Sequence, residues 1–431
     1  MSRVLALSRR TFEALSVPNF KRYFVGQSVS LVGTWMQSIA QSWLVFTLTH
    51  SSTAIGLVVA LQTLPVLVLG PYGGVIADRV DKRRLMVVLQ ALMGVQALVL
   101  GLLTVLHAVR FSELCVLALL LGLNNTFENP ARQSFVLEMV GADRVRNAVS
   151  LNSTMNNAAR AVGPAVAGLL IASLGVGVCF LVNAASFLAV VYSLVSMDLG
   201  DLQTSPPTRR SKGQMREGLA YVRHEPRLAV PLVMMAIVGA LSYEFQVTLP
   251  VIAKQGFHGG AATYGFLMAA MGVGAVAGGL FTAARGRTGL RPLTVSAAGF
   301  GLTILFASVS PVLAVEVAAL AAVGWTSVTF LATGNSTLQL GAAPSMRGRV
   351  MSLWAVAFLG STPVGGPVIG WIVAAAGARI GLGVGGLAAL GAAAIGLYAL
   401  SRLARPRLAE PVPVRPERAL PSAVDLAAEG D

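Results

Sequence analysis

The chain has 431 residues, 55% of them hydrophobic and only 12% charged, with a formal charge of +14 at neutral pH. Soluble domains carry about a quarter charged residues, so this composition excludes an ordinary soluble globule and points to a chain threaded repeatedly through a bilayer. The basic excess alone does not distinguish a nucleic-acid surface from a membrane topology; its distribution along the chain does.

Apolar runs of about 20 residues, the length a helix needs to cross the hydrocarbon, predict spans at 24–48, 53–76, 85–106, 114–137, 147–172, 177–197, 228–252, 262–284, 292–310, 312–338, 350–376 and 380–401. The expected fold class is an all-α membrane protein with twelve transmembrane helices. Residues 1–23 are basic and polar and read as a cytoplasmic N-terminal segment. The first span is too long for a signal-peptide core, so no cleavage is expected.

On the first span Gln27, Ser30, Thr34, Gln37 and Gln41 recur at alternating steps of three and four, which places them on one helical face. Polar side chains inside a bilayer face a cavity or a partner helix. The stripe is expected to line a central cavity, with hydrogen bonding between helices as the alternative.

Between the second and third spans lies the turn Gly73-Gly74-Val75-Ile76-Ala77-Asp78-Arg79-Val80-Asp81-Lys82-Arg83-Arg84, in which four residues are basic. Short loops this rich in Lys and Arg stay on the cytoplasmic side. Both termini are then cytoplasmic, and of the 32 Lys and Arg only Arg110, Lys254 and Arg379 fall in segments that lie outside. The positive-inside pattern and attraction to anionic lipid account for the charge, which argues against a nucleic-acid partner.

Asn124, Glu128 and Arg132 recur every four residues on the fourth span, as do Asn152, Asn156 and Arg160 on the fifth. Counting from the cytoplasmic ends puts Glu128 roughly 14 Å and Arg160 roughly 20 Å deep. Glu128 is therefore expected to face Arg160, either as a proton-coupling pair or as a structural ion pair. Glu244 is the only mid-depth acid of the second half, and Glu316, opening the tenth span, is expected on a wetted outer rim. His50, His107, His224 and His258 fall at span edges or in loops, which leaves Glu128 and Glu244 as the titratable candidates. Cys115 and Cys179 lie inside spans and read as small apolar packing residues.

A polar spacer with Pro206-Pro207 separates six spans from six. The expected organisation is a six-helix bundle over 24–197, a cytoplasmic linker over 198–227, a second bundle over 228–402 and a disordered cytoplasmic tail over 403–431. A shift of 203 positions aligns Thr126-Phe127 with Thr329-Phe330, Arg144 with Arg347, Arg146 with Arg349, and Gly163-Pro164 with Gly366-Pro367. The halves are thus an internal repeat, and they are parallel because each starts inside. The charged turn repeats degenerately as Gly278-Gly279 followed by Arg285-Gly286-Arg287, with Ala283 where Asp78 would stand. No Lys follows a Gly in a phosphate-binding loop and no His-Glu-x-x-His occurs, so neither direct ATP coupling nor zinc-dependent intramembrane catalysis is expected.

Together these features resemble the major facilitator superfamily over nearly the whole chain. Gly74, Asp78, Arg79, Lys82, Arg83 and Arg84 match its cytoplasmic signature, while Asp81 stands where a second Gly is expected. A narrower resemblance is to the transmembrane secretion effector branch, which holds the enterobactin exporter and macrolide efflux proteins. It is carried by Asn19-Phe20-Lys21-Arg22-Tyr23-Phe24-Val25-Gly26-Gln27 with Gly33, Trp35 and Gln37, by Asn129-Pro130-Ala131-Arg132-Gln133, and by Glu217-Gly218-Leu219-Ala220-Tyr221-Val222-Arg223. Gly163-Pro164 with Gly168 partly resembles the Gly-Pro motif of the superfamily's antiporters.

The resemblance implies secondary active efflux of small amphiphilic organic molecules, such as a drug or a siderophore, by alternating access. Protons supply the drive in place of any cofactor, no metal is bound, and the protein is a monomeric, multi-pass inner-membrane carrier rather than an enzyme. An uptake transporter of the same fold and a transport-inactive sensor are the alternatives. Gly74, Asp78, Arg79, Arg83 and Arg84 would form a conformational latch that holds the outward-open state. Glu128, Arg132, Arg160 and Glu244 are the coupling candidates, and Thr34, Gln37, Gln41, Asn124, Asn152 and Asn156 the cavity residues. No motif names the substrate. Single cysteines introduced into the 198–227 linker are expected to react with a membrane-impermeant maleimide only after the membrane is opened. Labelling from outside intact cells would overturn the topology.

Overall fold

In lipid a backbone must satisfy its own polar groups, which makes a helix the default for every apolar run. Each expected span is helical in the computed structural model, which describes residues 12–203, 214–344 and 346–403. In chain order the helices are α1 (Pro18–Thr49), α2 (Ser52–Arg79), α3 (Lys82–Val105), α4 (Phe111–Leu174), α5 (Val176–Val195), α6 (Gln214–Arg223), α7 (Pro226–Leu241), α8 (Phe245–Val251), α9 (Ala261–Arg285), α10 (Leu290–Ser308), α11 (Leu313–Gly341), α12 (Arg347–Leu359), α13 (Thr362–Ala376) and α14 (Ala378–Leu403). Among the described residues ten helical stretches are long and apolar enough to cross a membrane. One of them, α4, has 64 residues, enough for two passages. A further membrane-length helix is the 32-residue α1, whose polar residues dilute its hydropathy. The tail beyond Leu403, linker residues 204–213 and the side chains of Gly74 and Asp78 lie outside the described residues.

Local chemistry sets the element ends. Pro18 starts α1, where its missing N–H costs nothing. Ser51 Oγ accepts the Ala54 N–H at 3.3 Å at the start of α2, and Asp81 Oδ1 accepts the Arg84 N–H at 2.8 Å at the start of α3. Asp81 therefore serves as a helix cap where the superfamily signature has Gly. The loop expected between the fourth and fifth spans is helical except at Gly141 (φ 74°, ψ 172°). That backbone conformation is open to glycine and strained for other residues, and it lets the chain double back with almost no connecting loop.

Two spans are interrupted. Residues Ser242 to Glu244 separate α7 from α8, and Gly360 with Ser361 separates α12 from α13. At the first break Ser242 Oγ donates to the Gly385 carbonyl at 2.7 Å, which ties the break to α14.

Within the first half α1 packs on α4 and α5, and α3 packs on α5; within the second, α9 packs on α11 and α10 on α14. The halves meet where α2 lies along α13 and the second arm of α4 lies along α9. Close approaches run from mid-span, where Gly272 meets Ala161, to the end opposite the charged turn. Gly56 meets the Gly366 carbonyl, the Gly168 and Gly265 backbones touch, Ser52 Oγ donates to Gly370 O at 2.8 Å, and Trp43 stacks on Tyr264 with ring centroids 6.3 Å apart.

At the charged end each half is tied within itself. Arg144 of α4 pairs with Glu13 at 3.8 Å and Arg349 of α12 with Glu217 of α6 at 2.9 Å, so both repeats join a helix arginine to the short segment preceding their first span. Because Gly56 sits directly on Gly366, Gly56→Val is expected to leave the halves folded but to shift the population away from closure at this end. Spin-label distances between the α1–α2 and α13–α14 turns should lengthen, and an unchanged distribution would reject the role of this contact.

Candidate functional site

The polar stripe of α1 does not line a central cavity. Gln27, Ser30, Gln37 and Gln41 are buried; the amides of Gln37 and Gln41 bond inside the first half, and Gln27 Oε1 and Ser30 Oγ have no partner. Asn183 Nδ2 donates to Gln37 Oε1 at 2.7 Å, Gln37 Nε2 to Gln96 Oε1 at 3.0 Å, and Gln62 Nε2 to Gln41 Oε1 at 3.0 Å. Thr34, Gln37 and Gln41 enclose a small cavity with Gln96 and Asn183. These side chains hold α1 to α2, α3 and α5, which is the interhelical alternative. Trp35, on a different face of α1, points instead toward the second arm of α4, its indole N–H donating to Asn156 Oδ1 at 3.2 Å.

Glu128 does not face Arg160. It is 6% exposed, and Oε1 lies 3.1 Å from Arg132 Nε, one helical turn away; Gln90 Nε2 of α3 approaches the same oxygen at 3.4 Å. The i,i+4 spacing that put Glu128 and Arg132 on one face also lets them pair. Asn124, one further turn away, is buried with both amide atoms unpartnered. A second buried pair, Lys82 Nζ with Glu138 Oε1 at 2.6 Å, ties the start of α3 to α4. The sequence reading placed neither residue in a site. Glu316, expected on a wetted rim, is instead fully buried (0% exposed), within electrostatic reach of Arg379.

Arg160 lies with its guanidinium 4.9 Å from the centre of the Trp35 ring and within electrostatic reach of Tyr243 in the second half. Asn156 and Asn152 occupy the same helical face one and two turns nearer the charged end, and Asn152 Oδ1 is buried without a partner. Opposite them Tyr243 donates its hydroxyl to Ser327 O at 2.9 Å and packs its ring against Phe245, Phe300 and Phe358. Sequence reading missed Tyr243 because an aromatic in an apolar run carries no periodic signal.

Glu244 occupies the break between α7 and α8, is 5% exposed, and has an Oε1 that accepts no hydrogen bond. Among the described residues no cation lies within ion-pair distance of it. Its carboxylate rests against Gly365 and Gly366 of α13, and Gly366 in turn touches Gly56 of the first half. The acid therefore sits behind the contact that joins the halves. No cluster of His, Cys, Asp and Glu among the described residues is placed to hold a metal ion.

The described basic groups of the charged turn act inside the first half. Arg83 Nε and Nη2 donate to the Leu194 and Val195 carbonyls at 2.7 and 2.8 Å, closing the end of α5, while Arg84 lies exposed beside Asp81 at 3.8 Å and Arg79 is exposed. Gly163 packs against Val32 and Trp35 of α1, and Gly168 against Gly265 and Ala262 of α9. Pro164 continues within the second arm of α4.

The sequence profile of the transmembrane secretion effector family matches residues 9–420. The enterobactin exporter EntS of Escherichia coli O1:K1 is 26% identical over 360 residues, 82% of this chain and 85% of that one. The staphyloferrin A transporter of Staphylococcus aureus is 26% identical over 258 residues, 59% of this chain and 64% of that one, so the match spans under two thirds of that relative. Among solved structures, a bacterial homologue of the human lysosomal transporter Spinster superposes with a TM-score of 0.69 at 14% identity, covering 89% of this chain and 96% of that one. The nucleoside transporter NupG gives 0.69 at 14% identity, covering 90% and 99%. At such identities these likenesses show the fold.

The Glu128–Arg132 pair generates a stability test. Glu128→Gln or Arg132→Gln alone leaves a buried charge unpaired, a loss on the order of 3 kcal/mol, and each is expected to lower the melting temperature in detergent. The double variant should recover most of the loss. Equal melting of all four proteins would show that the pair contributes nothing to the fold.

Proposed function

Because the chain belongs to the transmembrane secretion effector family of major facilitator transporters, we propose that it exports a small amphiphilic organic molecule by alternating access, driven by inward proton flow. It is a multi-pass membrane transporter and not an enzyme. We place it in the inner cell membrane with the charged end and both termini cytoplasmic. With that orientation the halves are closed on the outside and the carrier is described in its inward-facing arrangement. The latch role of Gly74, Asp78, Arg79, Arg83 and Arg84 then belongs to the opposite arrangement, in which the charged ends of the halves close.

The observation that carries the proton reading is Glu244, an acid without a cation partner behind the Gly56–Gly366 contact. Burying a charge without compensation is costly, so closing the outer contact over Glu244 and neutralising it with a proton are linked steps. A proton loaded from outside favours outer closure; its release toward the cytoplasm frees the carrier to take cargo and open outward. Glu128 has a cation partner in Arg132 and is the weaker candidate. Siderophore cargo is supported by the two relatives named for siderophore transport.

Growth-inhibition profiles and medium metabolites of a deletion strain would identify a cargo. In proteoliposomes, Glu244→Gln is expected to abolish accumulation of that cargo against its gradient under an imposed pH difference, while downhill exchange stays within about threefold of wild type. Full pH-driven accumulation by the Glu244→Gln variant would remove the coupling role from this acid. Absence of any flux in the wild type would favour a sensor.

A further inference from the structure

The partly buried cations of the first half have partners, with one exception. Lys82 has Glu138 and Arg132 has Glu128; in the second half Arg379 reaches Glu316 and lies over the Phe257 ring. Among the described residues no carboxylate lies within ion-pair distance of Arg160. Its contact is the Trp35 ring face, 4.9 Å away. A ring face offsets only a small part of the cost of a guanidinium held at membrane depth. Tyr243, the polar group facing it from the second half, already donates its hydroxyl to Ser327 O.

The surroundings are those of a site rather than of a packing core. Asn156 is held by the Trp35 N–H on Oδ1, which leaves its Nδ2 donors one turn below the guanidinium. Asn152, a turn lower, has a buried amide oxygen with no partner. The column Asn152, Asn156, Arg160 thus runs from the charged end up to the contact between the halves, with the guanidinium at its closed tip. Facing it, Tyr243, Phe358 and Trp354 form a run of touching rings. A planar guanidinium with amide donors beside it matches an oxyanion of the carboxylate type, and the rings match an apolar body.

We infer that Arg160 anchors an anionic group of the cargo, so that the class carried is an amphiphilic organic acid in its anionic form. The inference deepens the transport reading and rests on it for the word cargo. The binding site itself stands or falls separately. Cation and anion then meet only when cargo is present, between a residue of the first half and rings of the second.

Equilibrium dialysis of 2-naphthoate and its neutral isostere 2-naphthamide against the full chain in phosphatidylcholine nanodiscs, with empty nanodiscs as the blank, tests this. Wild type is expected to bind the acid at least about tenfold more tightly than the amide. Arg160→Gln should erase that preference and leave amide binding unchanged, while Arg160→Lys, which keeps the charge, should retain most of it. Equal binding of the two probes by wild type would overturn the proposal without recourse to any variant, as would an unaltered preference in a folded Arg160→Gln protein. Loss of naphthoate binding when phosphatidylglycerol is added would identify a lipid headgroup as the occupant and overturn the cargo assignment. A charge preference without naphthoate flux in proteoliposomes would keep the anion site and count against transport.

Discussion

A polar group in the hydrocarbon of a bilayer cannot borrow a partner from water, and the arrangement of this molecule follows from that constraint. The amides of α1 are joined into a relay from Asn183 through Gln37 to Gln96 and on to the Leu117 carbonyl. Lys82, at the start of α3, and Arg132 each have an acid on α4, and Ser242, at the break between α7 and α8, has the Gly385 carbonyl of α14 as its acceptor. Against this background the groups left without a partner become informative. Arg160 and Glu244 stand where the halves meet, while Gln27 Oε1, Ser30 Oγ and Glu316 are also buried without a hydrogen bond.

The fold was legible in the sequence because its signals are long. A run of apolar residues as long as the bilayer is thick, repeated after a fixed shift and punctuated by basic turns, leaves few alternatives. The site was less legible because helical periodicity says which side chains share a face and not which neighbour that face meets. The stripe from Gln27 to Gln41 was read correctly as one face, and the neighbour turned out to be the interior of its own half. Counting depth paired Glu128 with Arg160, although the nearer partner, Arg132, was already present at i+4. The breaks at Ser242 to Glu244 and at Gly360 are local losses of helix inside continuous apolar runs, so composition does not mark them. Glu316 was misplaced for a related reason, since nearness to a span end does not reveal that the tertiary fold covers it.

The two repeats share architecture and have divided the chemistry. In the register set by Gly163-Pro164 and Gly366-Pro367, Glu128 corresponds to Leu331, Arg132 to Asn335 and Arg160 to Pro363. The first half has kept the charges and amides; the second contributes aromatic rings around Tyr243 and interrupted helices around Glu244. What both halves retain is the tie at the charged end, Arg144 to Glu13 and Arg349 to Glu217. These pairs are at least partly exposed and individually weak, yet each joins α4 or α12 to the segment that opens its own bundle, so that each half is held together at the end where the charged turns emerge.

How the halves can move past one another follows from where the ion pairs lie. Among the described residues all five pairs join groups within a single half. The contacts between halves are of another kind, among them glycine backbone at Gly56, Gly168, Gly265, Gly272 and Gly366, a serine hydroxyl at Ser52, and the stacked rings of Trp43 and Tyr264. Separating such surfaces strands no charge, because dispersion contacts and a single hydroxyl bond are small losses beside an orphaned ion pair. A rigid-body rocking of one bundle against the other is therefore inexpensive in the terms that dominate a membrane interior. Glu316, buried without an ion pair inside the second half, has Arg379 within electrostatic reach; Arg160 and Glu244 have no such counter-charge, and both stand where the halves meet. Their compensation has to come from something that arrives and leaves with each turn of the cycle, which is the property that distinguishes a carrier from a rigid bundle of helices.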